Sequence, residues 1–182
     1  MTMTRVLFLM LALTVTEPAQ AQAQAPTCMK PDVLGRFAQL HASSESYVVL
    51  RGQLSFDRQQ LADLVATQGP KEDGSLVEGN APTSAAPPVL ARFEGRRLGP
   101  YGFAQHVTIN IALKANCSMG CAPVEPGANQ LIFATSTEVG YEVTISDCDV
   151  NIYSSPARAT VRAMTICLRN GDCPPPSPGS AF

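Results

Sequence analysis

Six cysteines downstream of an export-type N-terminus constrain this chain of 182 residues more than any other feature. Arg5 precedes the apolar run Val6–Val15, and Ala-Gln repeats then offer small-residue cleavage points after Ala21, Ala23 or Ala25. Residues 1–25 thus have the layout of a secretory signal peptide, with an apolar run too short to span a bilayer. The mature chain is expected to be secreted or periplasmic, where thiols pair. Cys28, Cys117, Cys121, Cys148, Cys167 and Cys173 are therefore disulfide candidates, and their even number lets three bridges use all of them. The connectivity stays open at this stage. A lipidated Cys28 is disfavoured, because Pro26-Thr27 precedes it where small apolar residues without proline are expected.

The formal net charge of −2 leaves no basic excess to neutralise phosphates, so no nucleic-acid partner is expected. No second apolar run is long enough for a spanning helix, so no membrane span is expected once the signal is removed. Residues 26–173 are of ordinary size for one domain. Gln68–Pro88 is rich in Gly, Pro, Ala and Ser and reads as a mobile insertion. The Pro/Gly/Ser-rich residues 174–182 read as a disordered tail.

Hydrophobic periodicity places the elements between these segments. Pro31–His41 carries Val33, Leu34, Phe37 and Leu40 at helical spacing. Tyr47–Phe56 alternates, with Val48, Leu50, Leu54 and Phe56 on one side and Tyr47, Val49, Arg51, Gln53 and Ser55 on the other. Gly52 interrupts that strand and marks a bulge or sharp bend. Asp57 is placed as the N-cap of a short helix ending near Thr67, with Gln60 at the capping-box position and Phe56 and Leu61 as the staple. Val89–Arg97 and Gln105–Ala115 read as strands, the latter with Val107, Ile109, Ile111 and Leu113 on a single face. Such alternation is typical of antiparallel sheet with one wet side. Asn116–Ala128 is a cysteine-bearing loop, and Gln130–Thr135 and Tyr141–Asp147 are two further strands. Ser155 is placed as the N-cap of a C-terminal helix whose apolar face carries Ala157, Val161, Met164 and Leu168 and which stops at Asn170-Gly171. Part of that last run also alternates with period two, so a strand stays open there.

The expected fold is mainly β with flanking helices: a small five-stranded antiparallel Greek-key barrel of the OB type plus a C-terminal helix, stapled by disulfides.

Several motifs strengthen that expectation by resemblance. Asn116-Cys117-Ser118-Met119-Gly120-Cys121, then Pro126-Gly127, then Leu131-Ile132-Phe133-Ala134, then Thr144-Ile145-Ser146-Asp147-Cys148-Asp149 resemble the netrin-like module, and Ser46–Gly52 is similar to its first strand. This is the OB-fold domain shared by tissue inhibitors of metalloproteinases. The resemblance implies bridges from Cys28 to the 117/121 loop, and from Cys148 to Cys167, to Cys173 or back to the N-terminal segment. It does not carry over the inhibitory residues. Cleavage after Ala25 leaves Pro26-Thr27 ahead of Cys28, and the chain reads Cys28-Met29-Lys30 where the inhibitors have Cys-x-Cys.

No zinc-protease helix, nucleophile elbow, phosphate loop or dinucleotide fingerprint occurs, so no enzyme activity and no cofactor are expected. Glu94, Asp147 and Asp149 sit near strand ends but form no evident pair. The expected function is an exported non-catalytic binding module, OB/netrin-like, meeting a protein or glycan surface through its strand faces and the 116–128 loop. Arg92, Arg96, Arg97 and Lys114 form a modest basic patch around His106. One alternative is metalloprotease inhibition. Another is a copper-binding or redox site at Cys117 and Cys121 with His106, since two thiols and an imidazole are soft ligands.

Overall fold

The computed structural model describes residues 32–67, 86–117, 121–147, 151–171 and 173. The signal segment, most of the 68–88 insertion, the 174–182 tail, Cys28, Cys148 and Asp149 therefore lie outside the described residues.

Three helices and six strands follow in the order α1 (Val33–Ala42), β1 (Tyr47–Ser55), α2 (Arg58–Ala66), β2 (Val89–Gly99), β3 (Gly102–Asn116), β4 (Gly127–Thr137), β5 (Gly140–Ser146), β6 (Ile152–Ser154) and α3 (Arg158–Asn170). The caps follow local chemistry. Asp32 Oδ2 accepts from the backbone N–H of Gly35 at the start of α1. Asp57 Oδ1 accepts from the N–H groups of Gln59 (2.8 Å) and Gln60 (3.2 Å) at the start of α2, so the N-cap read from sequence holds. Gly171 ends α3 at φ +76°, in the left-handed region that glycine enters without penalty. The other end of α3 is a correction. Its N-cap is Ala157, which makes no side-chain cap bond, while Ser155 sits at φ +50° before the helix begins.

Strands β1 to β5 form a ring. β1 pairs antiparallel with β2, β2 with β3, β4 with β5, and β1 also with β4. The ring closes through β3 and β5, which run parallel from Ile111↔Tyr141 to Asn116↔Ser146. The expected all-antiparallel sheet is thus corrected at this junction. The parallel pair needs a crossover, and the cysteine loop together with β4 supplies it. The short β6, which the sequence pattern did not reveal, adds to β4 from Gln130↔Ser154 to Ile132↔Ile152. Asn151 (φ +43°) and Ser155 (φ +50°) bracket it and bend the chain in and out of that pairing.

Two apolar clusters hold the fold. Inside the ring, Val48, Leu50, Leu54, Phe93, Ile111, Leu113, Ile132 and Ile145 pack together, with Leu61 and Leu64 of α2 joining them. Outside it, Phe37 and Leu40 of α1 and Met164 and Cys167 of α3 pack on Val49, Leu98, Leu131 and Phe133. Phe133 meets Tyr153 edge to face at 5.7 Å between ring centroids. Each large side chain fully buried in this way contributes about 1.5–3 kcal/mol. This second cluster explains why β1 departs from simple alternation: Val48, Val49 and Leu50 are all buried, because two helices cover the face that would otherwise be wet.

Two disulfides are present among the described residues. Cys117 bonds Cys121, and Cys167 bonds Cys173. The implied link of Cys28 to the 117/121 loop and the implied links of Cys148 to Cys167 or Cys173 are corrected, since each of those cysteines already has its partner. Both bridges are local and close short loops rather than tying distant segments.

Candidate functional site

The outer face of β1, β2 and β3 carries no helix over its central part, and cross-strand register decides which side chains meet there. Arg51 lies directly opposite Arg96, and Arg96 directly opposite His106. The next row is Gln53, Glu94 and Thr108, and the one beyond is Ser55, Arg92 and Asn110. Leu90, opposite Ala112, is 68% exposed at the far end of the same face.

The first row surrounds a depression of about 360 Å³ lined by Arg51, Arg96, His106 and Asn129 and by the bare backbone of Gly52 and Gly95. Arg51 Nε donates to Asn129 Oδ1 at 3.3 Å, and Arg96 Nη1 donates to the Phe103 carbonyl at 3.5 Å. Among the described residues the only ion pairs are Arg58–Glu125 and Lys114–Glu142, so neither guanidinium of this row has a carboxylate partner. Like charges placed opposite each other on a sheet are destabilising. Glu94 stands in the next row but is ion-paired with neither arginine, so two arginines held in register are a standing cost that an anionic partner would relieve.

The basic patch expected from sequence is redrawn. Arg96 and His106 are neighbours, as expected, and Arg92 lies two rows along the same face. Lys114 stands eight residues along β3 from His106, on the order of 26 Å at the usual rise per residue, and its Nζ is bound to Glu142 Oε2 at 2.6 Å. Arg97 takes the opposite side of β2 and lines a different cavity. Arg51 is the member that was not singled out. Its outward position was readable from alternation, but its pairing with Arg96 depends on register.

The soft-ligand constellation does not assemble. Cys117 and Cys121 are bonded to each other, and His106 lies eleven residues back along the β3 run from Cys117. Among the described residues no three potential ligands cluster. Glu94 lies within β2, whereas Asp147 follows the end of β5.

The described part of the 116–128 loop packs beside α2. A small cleft of about 220 Å³ lies there between Phe56, Leu61 and Val65 on one side and Cys121, Pro123 and Val124 on the other. The exposed Arg58–Glu125 pair (3.2 Å) lines its edge. The rest of its lining is apolar.

No helix among the described residues is long and apolar enough to cross a membrane. Comparison with known proteins gives no match: no family model, no curated protein and no solved structure is similar to this chain.

Proposed function

We propose that the ring is an OB-type barrel and that the chain is an exported, non-catalytic binding module whose contact face is the outer surface of β1–β2–β3. Support for the barrel comes from connectivity. The order β4-β1-β2-β3, three successive strands with a fourth returning beside the first, is the order expected of a Greek key. In OB barrels the face of the second and third strands takes extended ligands. Export is supported by the signal-like N-terminus and is compatible with the disulfides.

The observation that carries the contact face is the row Arg51–Arg96–His106, aligned in register around a shallow depression, with Arg96 and His106 exposed and neither arginine in an ion pair. Guanidinium forks suit bidentate carboxylate or sulfate recognition, and Leu90 supplies an apolar contact at the far end. The partner is an acidic protein or glycan surface.

The test uses the exported, disulfide-intact protein against immobilised heparin and immobilised polyglutamate. Binding that weakens with added salt and is lost in the double variant Arg51→Glu/Arg96→Glu supports the proposal. Retention on one matrix alone identifies the partner class. Equal retention of wild type and double variant, or no retention on either matrix, overturns it.

A further inference from the structure

A second cavity, of about 510 Å³, opens where the start of β1 and the β2–β3 turn meet α1 and α3. It is separate from the depression on the contact face, with which it shares no lining residue. Its volume falls within the range of about 300–1,000 Å³ typical of small-molecule sites. Phe37, Val49 and Leu98 are buried and form its apolar wall, and Leu168 of α3 adds to it. The rim is polar. Arg97 and Gln105 face each other across β2 and β3, and both line the opening together with His41.

Three features say what this site can take. The first is the Arg97 guanidinium, which is exposed and has no ion pair among the described residues. The second is the His41 ring, which stacks nearly parallel to Phe37, 5.9 Å between centroids and 9° between planes, so the rim carries a flat aromatic surface. The third is Tyr47, half-buried in the wall, whose phenol burial holds protonated above its ordinary range; it contributes a neutral hydroxyl rather than a competing anion.

We propose that this cavity binds a small monocarboxylic acid with a flat apolar body. The body lies against the His41 ring and Leu168, over the buried Phe37 and Leu98. The carboxylate meets the Arg97 fork, with the Gln105 amide as a second donor. An apolar wall with a few converging polar groups at one edge is the usual construction of such a site. The acid group selects for anions because guanidinium–carboxylate contacts are the stronger, directional ones.

Isothermal titration of the disulfide-intact protein with 1-naphthoate, and with the neutral 1-naphthalenemethanol, tests this. Saturable one-to-one binding of the acid is expected, with the neutral analogue at least tenfold weaker. Arg97→Gln is expected to weaken the acid at least tenfold and to leave the neutral analogue unchanged. His41→Ala is expected to weaken both several-fold by removing the stacking surface. Both substituted residues are exposed, so folding is retained and is checked by circular dichroism. No saturable binding of naphthoate, or equal affinity in wild type, Arg97→Gln and His41→Ala, overturns the proposal. Because neither variant touches Arg51, Arg96 or His106, retention on heparin or polyglutamate stays a separate readout.

Discussion

Gly52 of β1 and Gly95 of β2 sit opposite each other closer than any side chain allows. A Cβ built on Gly52 would lie 2.6 Å from Gly95 Cα, and one built on Gly95 would lie 2.7 Å from Gly52 Cα and 2.7 Å from the Phe93 ring. The β1–β4 register also shifts between Gly52 and Leu54. The two glycines are where the ring turns its corner, and their backbone lines the basic depression. Gly52→Ala and Gly95→Ala should each destabilise by about 1–3 kcal/mol through overpacking against backbone that has nowhere to move. Urea denaturation measures this. A change below about 0.5 kcal/mol in both variants would contradict the close approach.

The helix caps give a contrasting pair. Asp57→Ala removes an oxygen that accepts from two backbone N–H groups and should cost about 1 kcal/mol. Ser155→Ala should leave stability nearly unchanged, because α3 is capped at Ala157 and not at Ser155. Thermal or urea unfolding of both variants side by side separates the two cases; a loss in Ser155→Ala equal to that in Asp57→Ala would restore Ser155 as the cap.

Disulfide mapping of the oxidised protein should return Cys117–Cys121 and Cys167–Cys173 as intra-peptide bridges. Cys28 and Cys148 are then the remaining pair, and mapping should find them joined to each other. Arg36 Nε donates to Asn151 Oδ1 at 2.8 Å, which brings the chain just after Cys148 against the helix just after Cys28. Replacing Cys117 and Cys121 together by serine should cost about 2 kcal/mol, the low end for a bridge, because the loop it closes is short. Any peptide linking Cys28 to Cys117 or Cys121 would refute this connectivity.

Alkaline stability should depend on Tyr47. Burial raises its phenol above the ordinary value of 10.0, so the folded state holds a proton that the unfolded state gives up. The unfolded chain then binds fewer protons, and stability falls as pH rises. The contribution is intact below about pH 10 and is lost progressively as pH climbs through the folded-state value. Tyr47→Phe should flatten the stability profile above pH 10 relative to wild type. An unchanged slope would show that the Tyr47 hydroxyl is solvated in the folded protein.

Much of the architecture was legible because it is written in short-range patterns. The alternation of Val107, Ile109, Ile111 and Leu113 placed β3. The helical spacing of Phe37 and Leu40 placed α1. The Asp57 carboxylate and the Asn170-Gly171 stop marked helix ends through local hydrogen bonding and backbone freedom. The glycine at 52 announced an irregularity in β1 before its partner was known. The contact face was only half legible. Alternation puts His106 and Arg96 on strand faces, but only register shows that Arg51 joins them and that Lys114 and Arg97 do not.

By itself, then, the amino-acid sequence determined most of the segments that become helices and strands, which side of most strands is apolar, and that an even number of cysteines is present to pair. Those properties depend on residues within a turn or two of each other. Tertiary structure alone decided that β3 and β5 run parallel, that α1 and α3 bury the second face of β1, and that Arg51, Arg96 and His106 stand in one row. Each of these is a relation between residues far apart in the chain, set by strand register and ring closure. A register slip of one residue turns every side chain to the opposite face, and no local pattern specifies which strand lies next to which.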